Sequence, residues 1–363
     1  MPHKLESLLD KVIWLGLGRY IVFRGFNALL VLFVALLISV ILFADLETKE
    51  LETRVYEQVQ NYARGLRGLP PEEVNRRVEE YRQWLIKVYG LDQPLYIRAF
   101  KYLARALTLD FGEARQRYPA YGATADVRSI LLTALGRTVL LFTTAQIIVI
   151  VIGIFLGLYA AYRSGSIFDR FLSVFALVTY SMPMYWLGML MILLFAYELG
   201  IFPSRSWEYV PEDVKASPFS LFVWYLWHMA LPLMTIILVS FGGLAWIVRN
   251  IAISTMQEDF VMVAHAKGLR SRDVLYKHVL RAISPPVVTM SAFAIIGSFF
   301  GAIISEVVFQ WPGMGRLYYT ALQNSDTPVV MGVTYLSIML IVVTKFLLDI
   351  IYGFLDPRIK VSG

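Results

Sequence analysis

Stretches of about twenty nearly uncharged apolar residues alternate with polar connections along most of the chain, at roughly 25 to 44, 138 to 162, 171 to 197, 228 to 248, 286 to 305 and 327 to 348. A helix needs about 20 such residues to cross the hydrocarbon core of a bilayer. The second stretch, "TVLLFTTAQIIVIVIGIFLGLYAAY", has no charge at all, and each charge at mid-bilayer would cost about 2.5 to 3.5 kcal/mol. The pattern therefore predicts an all-α membrane protein with six transmembrane helices. Pro183 in "TYSMPMYWLG" and Pro232 in "MALPLMT" are expected to kink or break their spans.

A different period governs the connection from 45 to 132. Leu51, Val55, Val59, Tyr62 and Leu66 recur at helical spacing, as do Val74, Val78, Tyr81, Leu85 and Val88, with "GLRGLPPEE" breaking the two runs. This predicts a small, mostly helical domain rich in balanced charge. It separates a first span at 25–44 from a five-helix domain at 133–353.

Composition agrees with the pattern. The chain has 363 residues, 58% of them hydrophobic and 17% charged, with no cysteine, more apolar than a soluble domain of this size usually hides. A disulfide framework and thiolate metal sites are excluded. The first apolar segment is longer than a signal sequence core and is followed at once by acidic residues rather than a small-residue cleavage site, so it reads as a retained anchor.

The net charge of +6 matters through its placement rather than its sum. The N-terminal stretch 1–24, residues 163–170, residues 249–284 and the tail 354–363 hold fourteen lysines and arginines, whereas the short loops opposite hold Arg205, Lys215 and Arg316. The positive-inside rule then predicts cytoplasmic termini and an external 45–132 domain in a multi-pass plasma-membrane protein. The charge meets lipid rather than nucleic acid.

Chemistry-bearing residues are sparse in the spans. No acidic group or histidine sits near a span midplane, where an ion-coupled carrier places them. His3, His228, His265 and His278 lack metal-ligand spacing, and no G-x-x-x-x-G-K-[ST] stretch exists to hold ATP. Catalytic residues and a cofactor of the chain's own are not expected. Gly153 with Gly157, and Gly297 with Gly301, form small-x-x-x-small faces suited to close helix approach.

The exception is "EDFVMVAHAKGLRSRDVLYKHVLR" within a predicted helix pair at 254–283. Phe260, Ala264 and Gly268 fall four apart and predict a helical face for close approach to a partner. Gly268 is placed to end the first helix; Ser271 is placed to cap the second, and Asp273 to sit in its first turn. Val274, Val279 and Leu280 give the second helix an apolar side. The residues alone leave three readings open: a segment held to anionic lipid by Lys267, Arg270, Arg272, Lys277 and Arg281, an ordinary structured loop, or a docking element for a cytoplasmic partner.

The same stretch resembles the coupling-helix region, or EAA loop, of type I ABC importer permeases, and among them the "B" permeases of the dipeptide and oligopeptide family. Ala264, Ala266, Lys267, Gly268 and Leu269 match that family's A-x-A-K-G-L, while His278, Leu280, Arg281 and Pro285 fall in its second loop helix and the proline that follows. "SEVVFQWPGMGRLYYTALQNSDTPVVMG" resembles its loop before the last span through Glu306, Trp311, Pro312, Gly313, Gly315, Arg316 and Asp326. "YGLDQPLYIRAFKYLARALTLDFG" resembles its external lead-in. The longer charged insert from 45 to 85 departs from the family, as does Met262 at the glutamate of the E-A-A pattern.

The resemblance implies the type I permease fold and an ATP-driven importer of solute, with di- or oligopeptides ahead of oligosaccharides or a metal complex. It further implies a second homologous permease, two cytoplasmic ATP-binding subunits that hold ATP and Mg, and an external solute-binding protein. By that resemblance Glu258, Asp259, Phe260, Ala264, Ala266, Lys267, Gly268, Leu269, Arg270 and Arg272 couple to the ATPases. Glu306, Trp311, Pro312, Gly313, Gly315, Arg316 and Asp326 would form an external gate or loop. The alternatives from other classes are a secondary transporter and a membrane-anchored scaffold.

Overall fold

A computed structural model describes residues 2–66, 68–206 and 210–355. The described residues form fourteen α-helices, with an isolated antiparallel bridge between Glu113 and Asp126. Five helical stretches are long and apolar enough to cross a membrane: Gly18–Asp45, Val127–Tyr162, Pro218–Thr255, Ser271–Phe300 and Thr327–Ile351. A sixth span is a bent pair, Ile167–Ser181 with Met184–Glu198.

The helices gather into two units, each built from discontinuous sequence. One comprises residues 24–131 with 320–343; the other comprises 132–319 with the segments before 24 and after 343. One edge between the units falls at 131/132, beside the predicted junction at 132/133, and most of the last span groups with the first and with the inserted helices.

In the 24–131 unit, α1 (Pro2–Gly65) runs without interruption from the membrane span into the insert. No glycine or proline lies between Gly25 and Gly65, and i,i+4 ion pairs Asp45–Lys49 and Glu50–Arg54 carry the helix past the end of its apolar run. The helix thus crosses the predicted junction at 44/45 without interruption. α2 (Pro71–Tyr89) folds back so that Val55, Val59 and Leu85 bury one another, with Tyr62 stacked on Tyr81 at 4.4 Å. Val88, expected on that inner face, is exposed. α3 (Leu95–Leu107) buries Ala99, Leu103 and Ala106 against Leu36 and Val40 of α1 and Met331 and Tyr335 of the last span.

The 132–319 unit is organised around two long helices, α4 (Val127–Tyr162) and α8 (Pro218–Thr255). A Cβ at Gly157 would lie 2.5 Å from the Ala245 carbonyl, and one at Gly153 2.9 Å from the Leu244 side chain. The Gly153/Gly157 face is spent inside the chain. Gly297 meets nothing within 4 Å, and its helix ends there. Gly301 lies beyond that end at φ +61°, where a Cβ would meet Glu306 and Thr138, so the two glycines do not share one helical face.

Between them α5 (Ile167–Ser181) and α6 (Met184–Ile192), which continues as a π-helical turn to Glu198, meet at 99°. The span expected over 171 to 197 is broken. Met182 and Pro183 take extended backbone; the Thr179 carbonyl, left open by the missing Pro183 N–H, receives the N–H of Met182, and the hydroxyls of Thr179 and Ser181 donate to the Phe175 and Leu177 carbonyls one turn back. Pro232, by contrast, sits buried within an uninterrupted α8.

The short helix α7 (Glu212–Lys215) precedes α8. After α8 come α9 (Asp259–Ala266), α10 (Ser271–Asp273), a π-helical turn at Val274–Val279 and α11 (Leu280–Gly297). α12 (Ile303–Val308) and α13 (Met314–Gln323) then lead to α14 (Thr327–Leu355). Pro285 and Pro286 do not begin a new helix. They lie inside α11, where the hydroxyl of Ser284 donates to the Arg281 carbonyl that the missing Pro285 N–H leaves open.

Candidate functional site

α9 is a short lever attached to the bundle by its underside. Val261 and Ala264 sink into a core with Leu158 of α4, Val248 of α8 and Val274 and Val279 of the π-turn. The face expected to combine Phe260, Ala264 and Gly268 against a partner is therefore divided, with Ala264 only 5% exposed. Phe260, Met262, Val263 and Leu269 stay exposed, Met262 at 67%. In the sequence Met262 stood out only as a departure from the E-A-A pattern and Val263 not at all; each neighbours a buried position along an eight-residue helix, and that arrangement was the available signal.

The chain ends α9 as its glycine demands. Gly268 has φ +77°, its N–H donates to the His265 carbonyl and the N–H of Leu269 to that of Ala264, the two bonds of a Schellman motif. Glu258 stands at the N-cap without a side-chain cap bond, and Asp259 occupies the first turn. Ser271 does not cap the following helix: Arg270 holds the N-cap position and no side-chain cap bond forms. Ala266, Lys267, Arg270 and Arg272 are exposed, the Arg272 guanidinium lying 6.0 Å from the Tyr276 ring, and Lys277 pairs with Asp273 at 2.9 Å.

An ion pair that sequence reasoning missed braces this end of the unit. Arg249, near the end of α8, makes two 2.7 Å bonds to the two carboxylate oxygens of Asp169, which also accepts the N–H of Gly165. Ser166 caps α5 by accepting the Asp169 N–H. The loop between α4 and α5 is thereby fixed to the helix that leads into α9. The signal lay in the Ser-x-x-Asp spacing and a lone arginine closing a long apolar run.

At the other end of α4, the predicted loop residues form a tight knot around Glu306. Its carboxylate accepts the hydroxyl of Thr138 at 2.8 Å and the N–H groups of Gly315 at 2.7 Å and Arg316 at 3.1 Å. Burial pushes this carboxyl up to about 7 despite those three donors. Any side chain at Gly313 would collide with Thr138 and Glu306, and one at Gly315 would lie 2.5 Å from Ile303 Cα. Trp311 is buried with its indole N–H donating to the Arg137 carbonyl, Pro312 is buried beside it, and the Arg316 guanidinium donates to the Gln310 carbonyl. Thr138 was not foreseen, since a lone hydroxyl at the start of a span carries no signal.

Asp326 does not join that knot. It belongs to the 24–131 unit, fully buried, where its Oδ2 accepts the N–H groups of Arg115 and Gln116 and the hydroxyl of Tyr118. Burial first, and the Asp326 charge second, hold the Tyr118 phenol above its ordinary range. Neither cluster is arranged to break a bond. Both lock backbone.

Residues 153–361 match the family described as the binding-protein-dependent transport system inner membrane component. A putative peptide permease protein of Brucella suis is 34% identical over 276 residues, 75% of this chain and 82% of its own length. The dipeptide transport system permease protein DppB of Escherichia coli is 30% identical over 312 residues, 82% of this chain and 88% of its own. The oligopeptide transport system permease protein AppB of Bacillus subtilis is 29% identical over 279 residues, 77% of this chain and 85% of its own. With six apolar spans and the matched region covering more than half its length, the chain belongs to the family of binding-protein-dependent transport system inner membrane components, permeases of the type I ABC class.

Proposed function

We propose that this chain is one of two permease subunits of an ATP-driven importer of di- or oligopeptides, coupled to cytoplasmic ATPases through α9. The observation that carries the reading is the division of α9: Val261 and Ala264 are fixed in the bundle core while Phe260, Met262, Val263 and Leu269 stay exposed within a basic rim of Lys267, Arg270 and Arg272. An apolar knob of that size suits a groove on another protein, and the rim suits acidic groups beside it.

In this mechanism the ATPases close on ATP and drag α9. Its buried side passes the motion to α4, α8 and α11, which open the pathway outward to solute delivered by an external binding protein. Hydrolysis restores the inward-facing state. The termini and the 254–283 helices then lie in the cytoplasm, as the distribution of basic residues favours. Peptide is the favoured cargo because the relatives are named as oligopeptide, dipeptide and peptide permeases.

The test is reconstitution of the full chain with a second permease, two ATPases and a binding protein in proteoliposomes. Met262→Asp, at a side chain 67% exposed, should abolish ATP-dependent peptide uptake while thermal stability stays within about 0.5 kcal/mol of the parent. Uptake at the parental rate would sink the coupling role of α9. Uptake driven by an ion gradient without ATP would sink the importer.

A further inference from the structure

α3 is divided lengthwise into three strips. Ala99, Leu103 and Ala106 are buried; Tyr96, Phe100 and Leu107 are exposed apolar residues, at 66%, 60% and 49%; Arg98, Lys101 and Arg105 carry the charge, and the helix has no acidic residue. At about 100° per residue the buried and basic sets each span an arc of about 60° and the exposed apolar set about 40°, with the basic arc roughly opposite the exposed apolar one. Packing on protein accounts for the first strip only.

The depth of α3 follows from what its first strip touches. Leu36 and Val40 lie nine and five residues before Asp45, the end of the first span, or about 14 and 8 Å along its axis. Met331 and Tyr335 lie four and eight residues inside the start of the last span at Thr327, or about 6 and 12 Å. Two spans running in opposite directions give the same level. It is where headgroups give way to acyl chains, since both spans exceed the length that about 30 Å of hydrocarbon requires.

We infer that α3 is an in-plane interfacial helix whose Tyr96–Phe100–Leu107 strip is covered by lipid, with the exposed Lys101 and Arg105 toward the phosphates. On the face of α1 that α3 covers at Leu36 and Val40, Phe33 and Leu29 lie exposed one and two turns before Leu36, so an apolar lipid-facing surface leads up to α3. The aromatic residues suit the boundary, where an apolar ring body and a polar edge are both accommodated. Arg98 and Arg105 are engaged within the protein, with Thr48 and Asp110, which fixes the rotation of α3 and aims the apolar strip.

The absence of cysteine allows a direct test. Single nitroxide labels at Tyr96→Cys, Phe100→Cys and Leu107→Cys are placed on the full chain in phosphatidylcholine–phosphatidylglycerol nanodiscs. Leu30→Cys on the exposed side of the first span serves as the lipid reference, and Glu80→Cys on charged α2 as the water reference. Collision with oxygen several-fold more frequent than with the water-soluble nickel reagent, at a depth shallower than Leu30→Cys, is the expected result. Nickel access equal to that at Glu80→Cys overturns the inference, since the strip then faces water. Shielding from both reagents also overturns it, since protein then covers the strip. Agreement of the three positions guards against one distorted variant.

Discussion

Glu306 concentrates the logic of the molecule at the scale of a residue. A carboxylate is placed where water cannot reach it, because its oxygens gather the N–H groups of Gly315 and Arg316 and the Thr138 hydroxyl into one fixed loop. With the folded-state value raised to about 7 from 4.5, the native state holds the proton more tightly than the unfolded chain. Stability contributed by the neutral form is then complete below about pH 4.5 and lost as pH rises toward 7, by an amount on the order of 3 kcal/mol. Thermal unfolding across that window should show the slope, and Glu306→Gln should flatten it while keeping the loop.

The residues of this knot were legible in the sequence through family resemblance, as positions without a reason. The reason is steric and appears only in three dimensions: Gly313 and Gly315 leave the space that Glu306 and Thr138 fill. The Asp169–Arg249 pair was legible only in halves, a Ser-x-x-Asp spacing and a lone arginine, because its partners stand eighty residues apart and nothing in either neighbourhood names the other.

At the scale of elements, hydropathy read the spans well and glycine and proline read them only in part. Pro183 broke its span and Pro232 did not, a difference set by the backbone on each side rather than by proline itself. The two small-residue faces look alike in sequence, yet Gly157 touches the Ala245 carbonyl and Gly297 touches nothing. Gly157→Ala should therefore destabilise the bundle by about 1 to 3 kcal/mol, and Gly297→Ala, at a helical φ of −60°, should be neutral or stabilising by up to about 1 kcal/mol. Denaturation of both variants in detergent checks the contrast. Equal costs would mean that α4 and α8 do not meet as described.

At the scale of the whole molecule, the sequence suggested serial domains and the chain is interleaved instead. No local pattern in residues 320–343 announces that they pair with the first span and α3, since every apolar span offers the same kind of surface. The insert keeps a small core of its own around Val55, Val59 and Leu85. Leu85→Ala should cost about 2 to 4 kcal/mol there and raise hydrogen exchange through residues 50–89 while leaving α4 and α8 protected. Loss of protection throughout would show that the insert is not a separate core.

One consequence of α1 remains. Twenty residues continue the helix beyond Asp45 to Gly65 without a joint, a rod of about 30 Å standing on its own membrane anchor. Such a mast turns angle into distance: a tilt of about 10° at the anchor sweeps its tip through about 5 Å. Any reorientation of the first span is thus displayed, magnified, well clear of the bilayer.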